Sequence, residues 1–363
     1  MVAKYRYVFL TLRDERVIQE IDLYGVYMSH SLNGADSQFD GTFQLDQTGK
    51  RNVDLIEATH PGRTFVVVER NGIPVGAWII WSRVYSAQSK TLQMHGISFE
   101  SYPRRQRIIS NTVYTDMEQV LLFKTLWTDM MIVAGRNINI IIPSGPSTPV
   151  TKSVEVYPYE VKYYGEVMSS ISDSSDGFDW RIAVVKDGQW YRKDLLIGYP
   201  YLGTGVHPGM PTFDYPGNIT QYYMTESMAD AGTHVLTVGA GEGTDMLAAE
   251  VAHTDLIAGG FPRWDIDVVR KDIDNTALLA TVANAQGIIR RPPMVTVKVT
   301  VKGDRVPEIG SFSLGDTARV TIQDARNPEG FEKDMRLVAW KVRPPTSEQV
   351  EEADLIFEGD EIA

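Results

Sequence analysis

The chain has 363 residues, no cysteine and a formal charge of −12, with 43% hydrophobic residues that include seven Trp, seventeen Tyr and twelve Phe. That length exceeds what one hydrophobic core usually supports, and the apolar content is enough for packed cores and for contacts between chains, which excludes disorder over most of the length. The lack of cysteine excludes disulfides, thiolate nucleophiles and Cys-containing zinc sites, and the acidity argues against gripping nucleic acid by neutralising phosphates.

Residues 1–10 form a short strand-like run without the basic, apolar and small-residue zones of a secretory signal. No apolar stretch approaches the roughly 18 residues that span a membrane, so the chain reads as soluble and made in the cytoplasm. The first hundred residues read as successive strands broken by Gly, Asn, Asp and Pro. The clearest element is the run Thr64-Phe65-Val66-Val67-Val68-Glu69-Arg70, followed by Asn71-Gly72 and a second run from Ile73 to Trp81. Asn-Gly supplies two positive-φ positions, so a tight hairpin is predicted, with Pro74 tolerated at an edge just past the turn.

The period then changes. Thr115 to Glu118 has capping-box spacing, and Val120, Leu121, Phe123, Leu126, Trp127, Met130 and Met131 recur at helical intervals, predicting a helix over 117–133 closed by Gly135. A second helix is predicted over 167–172, then a turn from Asp173 through Ser174, Ser175 and Asp176 to Gly177, then a strand over 178–186. The Gly-, Pro- and Tyr-dense stretch 191–223 reads as a long ordered loop or a β-arm. A third helix is predicted over 276–285, preceded by Asp274 and closed by Gly287. After Pro292-Pro293, Val295, Val297, Val299 and Val301 alternate with Thr296, Lys298, Thr300 and Lys302, a strand with one buried and one wet face. The end, with Glu348, Glu351, Glu352, Asp354, Glu358, Asp360 and Glu361, reads as a mobile or partner-bound acidic tail.

Residues 62–68 and 80–84 echo residues 315–322 and 339–342, with Trp81 matching Trp340. Two unrelated hairpins would look similar; two related barrel-like domains are the sharper reading. If Trp81 and Trp340 are each barrel core residues, replacing either by Ala should cost about 3–5 kcal/mol. The organisation expected is mainly β with α/β insertions: an N-terminal barrel-like domain (1–110), an α/β region with the long helix (111–190), a β-arm or loop and mixed region (191–290), a C-terminal barrel-like domain (291–345) and the acidic tail (346–363).

Little in the sequence points to chemistry. The six histidines, His30, His60, His95, His207, His234 and His253, stand in no metal-ligand spacing, and no Gly-x-Ser-x-Gly elbow is present. Val238 to Thr244 is Gly-rich but lacks a P-loop's Lys-Ser/Thr ending, and Glu242 would repel phosphate, so it reads as a hairpin or loop. Asp265, Asp267, Asp272 and Asp274 resemble a solvated acidic face, though paired carboxylates can cleave glycosidic bonds. Asp173, Asp176 and Asp179 lack the alternating oxygen ligands and closing Glu of a calcium loop. No catalytic, cofactor-binding or metal residue is assigned.

Several stretches together resemble the tail-tip (baseplate) hub, or minor tail, proteins of long-tailed phages of actinobacteria. They are Gly72-Ile73-Pro74-Val75-Gly76-Ala77-Trp78, Leu92-Gln93-Met94-His95-Gly96, Tyr102-Pro103-Arg104-Arg105-Gln106-Arg107-Ile108, Gly177-Phe178-Asp179-Trp180-Arg181-Ile182, and Leu314-Gly315-Asp316-Thr317-Ala318-Arg319-Val320 with Arg336-Leu337-Val338-Ala339-Trp340. The resemblance implies two barrel-like domains with interposed α/β segments. It implies a homotrimer whose six barrels match a six-fold tube, and a virion location at the tail tip. Its implied partners are the distal tail protein ring, the tape-measure protein, other tip or receptor-binding proteins, and genomic DNA passing without specific binding. Larger relatives carry enzymatic or receptor-binding extensions, so such roles would sit in other proteins, with residues 347–363 docking a partner or lying in solvent. A hexameric distal tail protein is the nearest alternative. A carbohydrate-binding or glycoside-hydrolysing β protein, with aromatic residues of 189–223 as a sugar platform, is the alternative from another class.

Overall fold

The computed structural model describes residues 3–34, 37–45, 52–174, 176–271, 273–292, 294–347 and 349–359. The first part contains β1 (Tyr5–Thr11), β2 (Val17–Glu20), β3 (Tyr24–Ser31), β4 (Gln38–Gln44), α1 (Asn52–Ala58), β5 (Thr64–Arg70), β6 (Ile73–Ser86) and β7 (Thr91–Ile97). A middle segment follows with β8 (Thr112–Glu118), α2 (Gln119–Ile132), β9 (Ile140–Ile141), β10 (Thr151–Val156), α3 (Tyr164–Ser172), β11 (Asp179–Asp187) and β12 (Trp190–Gly198). Next come β13 (Thr212–Tyr215) and β14 (Ile219–Ser227), then a small unit of β15 (His234–Val238), β16 (Ala248–Ala252), α4 (Thr254–Ala258), β17 (Asp265–Val269) and α5 (Thr276–Ile289). The chain closes with β18 (Met294–Lys302), β19 (Thr317–Ile322), β20 (Phe331–Arg343) and β21 (Glu352–Glu358).

The β5–β6 hairpin forms as predicted, with Asn71 at φ 53° and Gly72 at φ 84°. Its apolar run is continuous because both faces of the strand are covered. Side chains alternate along a strand, so Tyr7, Phe9, Val66, Val68, Trp78 and Ile80 point into one core while Val8, Leu10, Phe65, Val67, Ala77 and Ile79 point into another. The second core is built from the middle segment: Val120, Phe123, Leu126 and Trp127 of α2, Met168 of α3, and Trp180 and Ile182 of β11. Pro74 falls at a register shift opposite Glu69, where the ladder is already interrupted.

Strands from both ends of the chain share one thirteen-stranded sheet, in the order β14-β18-β21-β20-β3-β4-β7-β6-β5-β1-β2, with β19 pairing β20 and β13 pairing β19. The junction between the ends is the short β20–β3 ladder, Ala339 opposite Ser31 through Val342 opposite Met28. Phe39 and Trp78 from the first half and Phe213, Val297 and Phe357 from the second lie in the same core, so the two β-rich parts are packed together and share an interior. Among the described residues the strands close no barrel.

The halves nonetheless repeat. The order β3-β4-β7-β6-β5-β1 is matched by β14-β18-β21-β20-β19-β13. Phe39 and Phe43 pair with Gly96 and Leu92 as Val297 and Val301 pair with Phe357 and Ala353. Each long strand carries a register shift at the same place, between Ile80 and Ser82 in β6 and between Leu337 and Ala339 in β20. Just before it, the Gly62 amide donates to the Ile80 carbonyl (2.7 Å), as the Gly315 amide donates to the Leu337 carbonyl (2.8 Å).

Several expectations need correction. The end of the chain is not a loose acidic tail over its described part: Ala353, Leu355 and Phe357 are buried and β21 lies between β18 and β20. Glu348, Asp360 and Glu361 lie outside the described residues. Stretch 191–223 contains all but the first residue of β12, all of β13 and the first part of β14, with an irregular segment between β12 and β13. The C-terminal half-sheet thus draws two strands from upstream of residue 291. The bulge moves the echo out of register: Trp81 is the extra residue of β6 and is 41% exposed, whereas the buried tryptophan of that strand is Trp78.

Helix α2 starts at Gln119, because the Glu118 carboxylate accepts from the amides of Val120 (3.0 Å) and Leu121 (2.8 Å) and is itself the cap. Leu121, read as part of the apolar stripe, is 51% exposed. Helix α5 is capped by Asn275, whose side chain accepts from the Ala277 amide at 3.0 Å, and not by Asp274. It runs past Gly287, and that glycine serves packing: a Cβ there would meet Val251 Cγ1 at 2.6 Å. The strand after the prolines is β18, with Val297, Val299 and Val301 buried as the alternation predicts, while Pro293 lies outside the described residues. Among the described residues no helix is long and apolar enough to cross a membrane.

Candidate assembly surface

The histidines and the acidic residues of the sequence are dispersed through the fold. His30 bonds Glu100 (3.2 Å), His95 bonds Asp40 (3.0 Å), and His60 and His207 bond the carbonyls of the prolines that follow them. His253 bonds the Gly287 carbonyl (3.0 Å), and His234 lies 3.9 Å from Glu250. Among the described residues no three His, Asp or Glu side chains come together as a metal site would need. The Gly-rich segment joins β15 to β16, and its Gly239 and Ala240 amides donate to the carbonyls of Leu247 and Ile273 (2.7 Å each), so those amides are not aimed at an anion.

The acidic candidates act as fasteners. Asp173 accepts from Asn33 (3.2 Å), Asp176 binds Lys152 (2.7 Å), Asp179 binds Arg336, and Asp265 binds Arg263 (2.7 Å). Burial pushes the Asp176 carboxyl up, but the hydrogen bond and charge of Lys152 and the charge of Arg270 hold it below its ordinary value. Asp267 lies on β17 and Asp274 is exposed; Asp272 and Ser175 lie outside the described residues.

Buried ionic contacts lock the parts together. Arg70, at the end of β5, grips Glu351, just before β21, through Nε (2.8 Å) and Nη2 (2.9 Å), and Nη2 also donates to the Gly303 carbonyl (2.9 Å). Tyr5 donates its hydroxyl to the same carboxylate, and burial with that negative neighbour pushes the phenol up. Arg70 and Glu351 are 6% and 5% exposed, so this bidentate pair fastens the first half-sheet to the second in a nearly dry setting. On the other face Glu69 binds Lys186 (2.6 Å), the Tyr191 hydroxyl (2.7 Å) and Arg6 (3.1 Å). The fully buried Lys193 donates to the Leu12 carbonyl (2.9 Å) and Glu15, with Phe65 4.9 Å away; burial lowers its ammonium's pKa. Sequence reasoning missed these groups because their partners lie 63 to 346 positions apart.

Among the described residues, two outward-facing sheet edges have counterparts in the repeat that pair with each other. β14 has one strand neighbour, and the end of β6 runs on past the start of β5. That overhang exposes apolar side chains: Trp81, Val84 and Tyr85 are 41%, 62% and 56% exposed, and Tyr223 of β14 is 53% exposed. Open edges of this kind invite pairing with another chain. Of the aromatic residues read as a sugar platform, Tyr191 is buried, Tyr215 and Tyr222 pack against each other over the core, and Trp190, Tyr201 and Tyr223 are exposed, Tyr201 with the Arg336 guanidinium 4.1 Å from its ring centre.

The sequence matches no protein-family model and no curated protein. The fold does have solved counterparts. A tail protein from Neisseria meningitidis MC58 superposes with a TM-score of 0.64 at 14% identity over 98% of this chain and 97% of the other. A 43 kDa tail protein of prophage MuSo2 from Shewanella oneidensis gives 0.64 at 12% identity over 97% and 98%. The prophage tail protein gp18 from Listeria monocytogenes EGD-e gives 0.58 at 10% identity over 99% and 95%. The likeness establishes a shared fold along the whole chain.

Proposed function

We propose that this chain is a non-enzymatic structural subunit of a phage tail tip, a hub that assembles as a trimeric ring closing the tail tube. The observation that carries the reading is the end-to-end likeness to three tail proteins from different bacteria, each covered over at least 95% of its length. The repeated half-sheet supports the ring: three copies supply six similar β units to meet a six-fold tube. In this reading the ring joins the distal tail protein ring on one side and other tip or receptor-binding proteins on the other. The tape-measure protein and then DNA cross its channel, and a chain of net charge −12 gives the passing duplex little to adhere to. Native mass spectrometry of the purified protein tests the stoichiometry. Three copies are expected; six would favour a distal tail protein, and a monomer that binds cell-wall glycans saturably would favour the carbohydrate reading.

A further inference from the structure

We infer that neighbouring copies join strand to strand, residues 82–85 of β6 pairing antiparallel with β14 of the next copy so that Arg83 lies opposite Glu226. This rests on the ring reading above and specifies the surface that would make the ring.

The two half-sheets repeat strand for strand. β6 corresponds to β20: each is preceded by the matching Gly62 or Gly315 hydrogen bond, and each then passes its register shift at Trp81 or Val338. Beyond the shift Ser82, Arg83, Val84 and Tyr85 correspond to Ala339, Trp340, Lys341 and Val342. β14 corresponds to β3 with equal definition. Met28 pairs with Phe39 as Met224 pairs with Val297, and Tyr27 pairs with Asp40 as Tyr223 pairs with Lys298. Hence Ser29, His30 and Ser31 correspond to Thr225, Glu226 and Ser227.

Within the chain, the stretch of β20 beyond the shift does not end in solvent. Ala339, Trp340, Lys341 and Val342 pair with Ser31, His30, Ser29 and Met28, and Met28, Ser29, His30 and Val342 are buried there. The corresponding stretch of β6 and the corresponding edge of β14 have no such partner among the described residues. They are the two halves of the same junction, separated within one chain. Carrying the β20–β3 register across places Ser82, Arg83, Val84 and Tyr85 opposite Ser227, Glu226, Thr225 and Met224 of the next copy. The register opposes a cation to a carboxylate and covers Val84 and Tyr85, now 62% and 56% exposed. In the free chain Arg83 donates to the Ile56 carbonyl (2.7 Å), and Glu226 binds Arg326 (2.7 Å) at an exposed position. Each copy offers one β6 overhang and one β14 edge, so the contact runs head to tail, the kind of interface that forms a ring when the rotation between copies closes.

The chain has no native cysteine, so an engineered pair reports the seam without background. Facing residues of an antiparallel pair lie about 4.5–5.5 Å apart at Cα, within disulfide range. Val84→Cys combined with Thr225→Cys, oxidised and run without reductant, is expected to give a covalent ladder ending at three chains. The single variants are expected to give none, and the out-of-register pair Val84→Cys with Ser227→Cys at most about a tenth as much product. Both positions are exposed, and circular dichroism confirms that each variant is folded. Arg83→Glu is expected to raise the concentration for half-assembly about tenfold, and Glu226→Arg in the same chain to reverse most of that rise. A native trimer without the in-register cross-link overturns the seam and leaves the ring standing. A disulfide confined to one chain also overturns the seam, and a chain that stays monomeric and unlinked overturns both.

Discussion

Removing Glu351 isolates the contribution of the clasp that ties the two half-sheets together. Its carboxylate takes Arg70 through Nε (2.8 Å) and Nη2 (2.9 Å) and also accepts the Tyr5 hydroxyl. In Glu351→Ala the guanidinium, 6% exposed, keeps only the Gly303 carbonyl and Glu308, which lies 3.2 Å away and is 58% exposed. Breaking a buried pair from one side costs about 3–5 kcal/mol, and an exposed carboxylate such as Glu308 recovers at most about 1 kcal/mol, so a loss of about 3 kcal/mol is expected. Replacing both partners, Arg70→Met with Glu351→Leu, removes the uncompensated charge and should leave stability within about 1–2 kcal/mol of the parent. Urea unfolding, followed in parallel by tryptophan fluorescence and circular dichroism, measures both. A single-variant loss below about 1 kcal/mol, or a double variant no better than the single, refutes the assignment of the clasp.

The buried tryptophan gives a second test. Trp78→Ala should cost about 3–5 kcal/mol and Trp81→Ala less than about 1 kcal/mol, the reverse ranking contradicting the bulge. The two turn glycines should differ likewise by thermal unfolding. Gly62→Ala meets open space at φ 69° and should cost about 1 kcal/mol, whereas Gly315→Ala at φ 93° drives a Cβ to 2.0 Å from the Leu202 carbonyl oxygen and should cost more than about 2 kcal/mol. Acid stability should depend on Glu100. Burial pushes its carboxyl up, but the charge and hydrogen bond of His30 and the Ile182 amide outweigh that and hold it below its ordinary 4.5. A depressed carboxyl contributes stability that is full above the unfolded value and fades as pH falls through the folded one. Melting temperatures between about pH 6 and 3 should therefore fall less steeply in Glu100→Gln than in the parent; equal slopes would remove Glu100 from the account.

Local chemistry was legible where it decided the structure by itself. Asn71-Gly72 announced its hairpin, the valines of β18 announced their buried face, and the apolar periodicity of α2 survived an error of two residues at its start. Charge counting concealed β21: Glu352, Asp354 and Glu358 suggested a solvated tail, yet Ala353, Leu355 and Phe357 between them carry a strand's alternation into the core. Matching Trp81 with Trp340 captured a real repeat in the wrong register, because a bulge adds a residue without changing which side chains look alike. Gly287 read as a helix stop, whereas its lack of a side chain serves a contact with Val251. The ionic clasps and the β20–β3 junction had no local signature at all; they join positions hundreds of residues apart and appear only once the sheet is assembled.

Class averages of the assembled particle by electron microscopy decide whether the chain forms the proposed three-fold ring: three-fold symmetry around an open or plugged central channel is expected, with six similar β units at the rim. A six-fold ring of one unit per chain, or a particle with no rotational symmetry, would contradict it.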